Sequence, residues 1–502
     1  MASVSASGFE RVGVAVVPAG IVAALSYPGL RALGVPGVAS ASIAVAFAVA
    51  GALWLSSRLP QGLESVLRRN VLLTVLWAVV GIGAIGATAR LATFMADETK
   101  GQNTVYPFDD FYVHHSCLSA HFQAAHLHRS GVPNIYERTL YEGQDGEPHF
   151  IGGLVIDIFM YPPPFLLLSR LGLAISENFA TWRAVWFGIE GTLVAAAFLA
   201  VAFWIGGRTG WRVALLSPIA WLSFPTLTTL QFGNFHLVAI AASVLAMLAI
   251  ERGRHALGGG MLAALALCKF FPGIFFLVLV FQRRWRAVLW TAGFGAFFLI
   301  TSYVVLGQAV FQAFFSYHLP RLSSGATFET LFAHPDVIAC NHAVYGLVQK
   351  LSLLGVPGTG QSMSVMASSA FTVVLVVVAA IAARTSGKTQ IPNGRLLSVA
   401  TWLAVVQLAS LRSPFVPDTY GQFAPLWILV LLLARIERHG WQTVGLLALA
   451  ALANFLVPTV EIMPLPTLLA STLVLQLLFL ALCFAVVVVP WRRAVAKEAV
   501  AT

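Results

Sequence analysis

The stretch FDDFYVHHSCLSAHFQAAHLHRSGVPNIYERTLYEG, residues 108–143, followed by MYPPP at 160–164, decides how the chain is read. Acids, histidines and aromatics gather there, in a sequence that is otherwise almost continuous hydrocarbon. Between Phe108 and Tyr161 lie the pair Asp109–Asp110 and six of the twelve histidines. Pro162–Pro163–Pro164 then makes a rigid exit, because proline fixes φ and stops a helix. A polar segment this long between apolar runs reads as a large loop outside the bilayer. Loops of this length in a compact protein are usually functional.

Working outward, the chain has 502 residues, of which 58% are hydrophobic and 10% charged, with a mean hydropathy of +0.83. A soluble domain carries about 25% charged residues, so the composition is that of an all-α polytopic membrane protein. Apolar stretches recur at about the ~20 residues that cross a bilayer. The formal charge of +10 does not signal nucleic acid, because Arg and Lys cluster in short gaps between apolar runs, as the positive-inside rule expects.

Taking the basic gaps as cytoplasmic gives about twelve spans, at roughly 12–33, 37–57, 71–95, 182–206, 213–231, 234–250, 287–306, 361–384, 396–411, 421–436, 441–457 and 466–490. Both termini are then cytoplasmic, and the N-terminal stretch is an anchor, not a removed signal peptide. Residues 1–70 read as N-terminal membrane helices and 71–502 as the catalytic membrane domain. Pro162–Ile175 is too short to cross. Leu257–Cys268 and Ile274–Phe281, split at Lys269–Gly273, read as a broken or re-entrant hairpin. Such a break is tolerated only where protein or water covers it, so Lys269 is expected to face a cavity.

The outer side then holds the first loop 96–160, the turn 231–234, the second loop 307–360, and the segments 411–422 and 458–465. Asp109 and Asp110 precede a helical pattern in which Phe111, Leu118, Phe122, Ala125 and Leu127 share one face. One acid suffices to cap that helix; the other is free to act as a general base. Asp110, His114, Cys117 and His121 form a helical stripe, but on helical rise its ends lie more than ~15 Å apart. No metal and no cofactor is expected. The histidines are expected to line an anionic pocket or tune the acid. Arg412, near Asp418 and Tyr420, breaks the positive-inside pattern and suits a phosphate. Asn341 and His342 sit in a second loop richer in cations than acids. Cys117 and Cys340 fall on one side, and free thiols are expected in preference to a disulfide.

Asp110-Phe111-Tyr112, then Gly131 and Ile135-Tyr136, Tyr161-Pro162-Pro163, Gly233-Asn234, Lys269 with Pro272, Asn341-His342, and Ser413-Pro414 with Tyr420 resemble, in their order, the motifs of glycosyltransferase family 87. The resemblance covers most of the chain from about residue 70. It implies a GT-C membrane fold and an inverting transfer of a mannosyl, other hexosyl or pentosyl group. The donor would be a polyprenyl-phosphate sugar, and the acceptor a lipid or glycan at the outer face of the plasma membrane. Asp110 matches the family's catalytic base, with Asp109 its neighbour. Arg412, His342, Lys269, Asn341, Tyr161, Asn234, His114 and Tyr420 are the expected donor-phosphate and substrate contacts. The chain departs from the family at Asn341-His342-Ala343, where Asn-Gln-Ser is common, and after Ser413-Pro414, where Trp-Asp-His is common. These departures bear on the sugar and acceptor more than on the reaction.

The rival reading is a transporter or flippase of lipid-linked precursors. It would place ionisable groups at mid-membrane; apart from Lys269 and Glu190 they fall in outer loops. A non-catalytic subunit would not need an acid beside a cationic pocket.

Overall fold

The computed structural model describes residues 6–59, 66–67, 71–143, 147–385, 394–436, 440–455 and 463–501. Arg68, Arg69, Lys388, Arg438, His439 and residues 458–462 of the expected outer segment lie outside them. In chain order, α1 (Ala6–Ala32) and α2 (Gly37–Arg58) form a hairpin against α3 (Val71–Ala96). The first polar segment holds α4 (Asp110–His114), β1 (His115–Ser116), α5 (Leu118–Arg129), β2 (Phe150–Ile151) and β3 (Leu154–Ile156), and leads into α6 (Pro163–Ile175). Next come α7 (Phe179–Ile205), α8 (Gly207–Trp221), α9 (Phe224–Phe232), α10 (His236–Glu251), α11 (His255–Cys268), α12 (Ile274–Phe281) and α13 (Trp285–Leu306). The second polar segment contains short helical turns and α14 (Val344–Leu353). After it come α15 (Gln361–Thr385), α16 (Gly394–Ser410), α17 (Phe423–Arg435), α18 (Trp441–Phe455) and α19 (Leu465–Ala501).

Apolar stretches become helices because a bilayer offers no water to bond the backbone, which must therefore satisfy itself. Among the described residues, seven helices are long and apolar enough to cross: α1, α2, α3, α7, α13, α15 and α19. The pair α8–α9, bent by 62°, makes an eighth if it counts as one span. The bend has a local cause: Ser223 caps α9 by accepting from Thr226 N, and Pro225 starts it, the residue types that open a helix. α10 and α16 are shorter apolar helices. Nearly every side chain on them is buried, as expected of helices apolar all round that sit at the centre of a bundle. Small residues let the outer helices close on one another: a β-carbon at Gly81 of α3 would come 2.6 Å from Val17 Cγ2 of α1.

The expected break between α11 and α12 is present. Lys269 ends α11 with extended backbone (φ −137°, ψ 134°), and Phe271–Gly273, with Pro272, forms a single 3₁₀ turn before α12. Arginines at the basic gaps bond to neighbouring helix ends. Arg395 donates to Trp204 O at 2.8 Å, Arg212 to Ile436 O, and Arg284 pairs with Glu251 at 2.8 Å.

The first polar segment departs from the expected single amphipathic helix. α4 stops after five residues, and His115–Ser116 turn into a strand that pairs in parallel with β3, His115 opposite Val155 and Ser116 opposite Ile156. β2 pairs antiparallel with β3, giving a three-stranded sheet of order β1-β3-β2. The helical stripe Asp110–His114–Cys117–His121 therefore does not exist as one face, because long-range strand pairing overrides the local period.

Candidate active site

Residues from both polar segments and from 411–422 converge on one cavity of about 1000 Å³. Gln231 holds the first segment in place at the end of α9. Its oxygen accepts from Val105 N at 2.7 Å and its amide donates to Tyr112 O. The segment 411–422 is tied to the second polar segment by backbone bonds His342 N to Val416 O (2.8 Å) and Val344 N to Leu411 O (3.0 Å). Asn341 adds side-chain bonds to Pro414 O and from Val416 N.

Of the ten residues expected at the site, Asp109, Arg412, Lys269, Tyr161, Asn234 and Tyr420 line this cavity. Lys269 Nζ donates to Asn234 Oδ1 at 2.9 Å and lies over the rings of Tyr161 (5.5 Å) and Tyr420 (5.9 Å). These aromatic faces favour the cation. Arg412 is half-buried and donates to Thr372 Oγ1 (2.7 Å) and Ser368 Oγ (2.9 Å) of α15; burial lowers its pKa.

Asp109 is the N-cap of α4, its Oδ1 accepting from Phe111 N at 2.9 Å. Asp110 stands exposed in the first turn, between the lining residues Asp109 and Phe111. The other three expected residues stand off the lining. His114 is exposed and bonds Gly153 O at 2.9 Å. Asn341 is the buried clip just described. His342 is buried behind the wall, its carbonyl accepting from Gln476 Nε2 at 2.7 Å.

The cavity also holds Asp157, His115, Cys117 and Asp418, none of them among the ten residues expected at the site. His115 Nε2 lies 3.3 Å from Cys117 Sγ, and Cys117 Sγ lies 3.0 Å from the Tyr420 hydroxyl. Asp157 and His115 keep some open surface, but protein surrounds them and it is cavity, not bulk water, that they meet. Desolvation accordingly raises the Asp157 pKa, with His115 opposing it, and lowers that of His115. Burial, and secondarily the Asp157 charge, pushes the Cys117 thiol up to about 12. Desolvation pushes fully buried Asp418 up to about 7. All four cysteines are free thiols.

The arrangement places two cations, several carboxylates and aromatic faces around one space. It can bind an anion and move a proton there. Ile274 and Leu277 of α12 and Leu375 of α15 extend the lining into the apolar bundle.

No curated protein and no solved structure matches the chain. Residues 159–389 match the model of glycosyltransferase family 87, a stretch that includes Tyr161, Asn234, Lys269, Asn341 and His342. The chain thus carries a glycosyltransferase family 87 domain, of the GT-C type of membrane glycosyltransferases.

Proposed function

We propose that the protein moves a hexosyl group, most simply mannosyl, or a pentosyl group from a polyprenyl-phosphate sugar to a lipid or glycan acceptor. The reaction takes place on the outer face of the plasma membrane, with the basic gaps and both termini cytoplasmic. The observation that carries this reading is the single cavity that joins Lys269 and Arg412 to the carboxylates of the first polar segment and continues between α12 and α15. The Ile274, Leu277 and Leu375 wall suits an isoprenoid chain, and the two cations suit its phosphate.

Asp110 is assigned as general base. No hydrogen bond to its carboxylate is found among the described residues, whereas its neighbour is committed to the cap. Asp110 takes the proton of the acceptor hydroxyl as that oxygen bonds to the anomeric carbon. The bond from the anomeric carbon to the phosphate oxygen breaks from the opposite face, which inverts the centre. Lys269 and Arg412 stabilise the charge that grows on the departing phosphate.

The test is to incubate membranes containing the protein with labelled polyprenyl-phosphate mannose, glucose or arabinose and to follow label into lipid and glycan products. Transfer from one of these, absent from membranes without the protein, supports the reading. No transfer from any of them, with transfer from a nucleotide sugar instead, removes the donor assignment.

A further inference from the structure

We propose that His115, Cys117 and Asp157 form a three-ligand site for a zinc-class divalent ion in the wall of the cavity. One ligand atom from each lies within 4.8 Å of the others. A zinc ion with nitrogen, sulfur and oxygen ligands at about 2.0–2.3 Å needs those atoms roughly 3.3–3.8 Å apart. The 3.3 Å between His115 Nε2 and Cys117 Sγ already meets this.

The three side chains are held from behind. β1 and β3 run parallel with Ser116 opposite Ile156, so one further step of the same register sets Cys117 beside Asp157. Ser119 fixes that step: its hydroxyl accepts from Asp157 N at 2.9 Å and lies within donating distance of Ser116 O (2.5 Å) on β1 and Val155 O (3.0 Å) on β3. The His115 ring is stacked on Phe111 (4.6 Å, 21°) and edge-on to Phe232 (4.5 Å, 82°), which sets its orientation. Asp157 Oδ1 accepts from Ile158 N at 2.9 Å, leaving Oδ2 for a metal. Rigid support of this kind is what a precise ligand set requires.

The donor set selects the ion. One thiolate, one carboxylate and one neutral imidazole together cancel a double positive charge. The sulfur favours zinc over magnesium or calcium. As the metal binds, the Cys117 thiol proton leaves to solvent and a sulfur–metal bond takes its place. The Tyr420 hydroxyl, 3.0 Å from Sγ, then donates to the thiolate, the outer-shell support such ligands usually have. Three protein ligands leave a fourth position, which faces the cavity, and an open position is the mark of sites that take a water or a substrate oxygen. Lys269, bound to Asn234, shares this space and holds the affinity below that of a site without a neighbouring cation.

The test uses the full chain, purified in detergent with a histidine-free tag, stripped with chelator and titrated with Co²⁺ alone. The expected result is a thiolate-to-cobalt charge-transfer band that saturates near one ion per chain and disappears on adding Zn²⁺. C117S should abolish the band, Asp157→Asn should weaken binding by about tenfold or more, and Cys340→Ser, at another cysteine lining the cavity, should leave it intact. Zn²⁺ should also slow alkylation of Cys117 in the unsubstituted protein, a readout independent of whether any variant folds. No charge-transfer band together with unchanged alkylation overturns the site, as does a band that survives Cys117→Ser. Binding is read without sugar transfer, so failure here leaves the proposed reaction standing, and the reverse.

Discussion

Lys269 Nζ donates to Asn234 Oδ1 at 2.9 Å, so the break between α11 and α12 is joined to the turn that starts α10. The turn itself depends on Gly233, whose φ of 67° is left-handed and whose β-carbon would come 3.2 Å from Trp186 Cδ1. Asn234 therefore sets where the ammonium points. Removing the acceptor leaves a buried ammonium short of a partner, at a cost of about 1–3 kcal/mol. Asn234→Ala should raise the donor KM by about tenfold with a smaller change in kcat, while Lys269→Met should raise KM and lower kcat together. Steady-state transfer assays with varied donor separate the two. An unchanged KM in Asn234→Ala would reduce this contact to a structural one.

Asp109 caps α4, and its neighbour Asp110 is the proposed base. Asparagine caps a helix about as well as aspartate, so Asp109→Asn should keep α4 and leave transfer within a few-fold of the parent. Asp110→Asn should cut kcat by about 10²–10⁴, the range for a lost general base, with donor binding retained. Rates on purified protein, alongside binding of a non-transferable donor analogue, check both. If the large loss follows Asp109 instead, the base moves one residue back, to the carboxylate on the cavity lining.

Arg412 is anchored by Ser368 and Thr372, which fixes its guanidinium on one wall. Hydrogen bonds to charged groups contribute about 1.5–3 kcal/mol, so Arg412→Ala should weaken apparent donor affinity by about 10–100-fold. Arg412→Lys should recover part of it, since lysine keeps the charge and loses the fork. Equal affinity in all three proteins would remove Arg412 from phosphate binding.

Much of this architecture can be read along the chain because hydropathy is local. The break at Lys269, the short Pro163–Ile175 helix and the turn at Gly233 all follow from prolines, glycines and one charge in apolar surroundings. Asp157 is different. Its partners, His115 and Cys117, lie some forty residues away and meet it through two strands of two and three residues, too short to leave an alternation. The same pairing defeats the helical stripe through His114 and His121, which was the natural local reading of the histidines. Asn341 and His342 were expected to contact substrate by their place in a motif order. The bonds of Asn341 to Pro414 O and from Val416 N give it the work of positioning 411–422, a tertiary role invisible in sequence. Hydropathy also does not say what covers an apolar run: α16 has 17 residues and nearly all its side chains are buried by protein.

Asp418 and Lys350 make stability depend on pH in two windows of opposite sign. Burial lifts Asp418 from 3.8 to about 7. Between those values the folded chain holds a proton that the unfolded chain has lost, and stability falls as pH rises. Burial lowers Lys350, which bonds Gln476 Oε1 at 3.0 Å, from 10.5 to about 7. From there to 10.5 the unfolded chain holds the extra proton and stability rises with pH. Each limb is bounded by about 1.4 kcal/mol per pH unit, and the two meet in a minimum near neutrality. Apparent melting temperatures in detergent from pH 4 to 10 should show that minimum. Asp418→Asn should flatten the acid limb alone and Lys350→Met the alkaline limb alone. A melting temperature that climbs steadily from pH 4 to 7, and does so equally in Asp418→Asn, would mean that Asp418 is already ionised in the folded chain and hydrated from the cavity it lines.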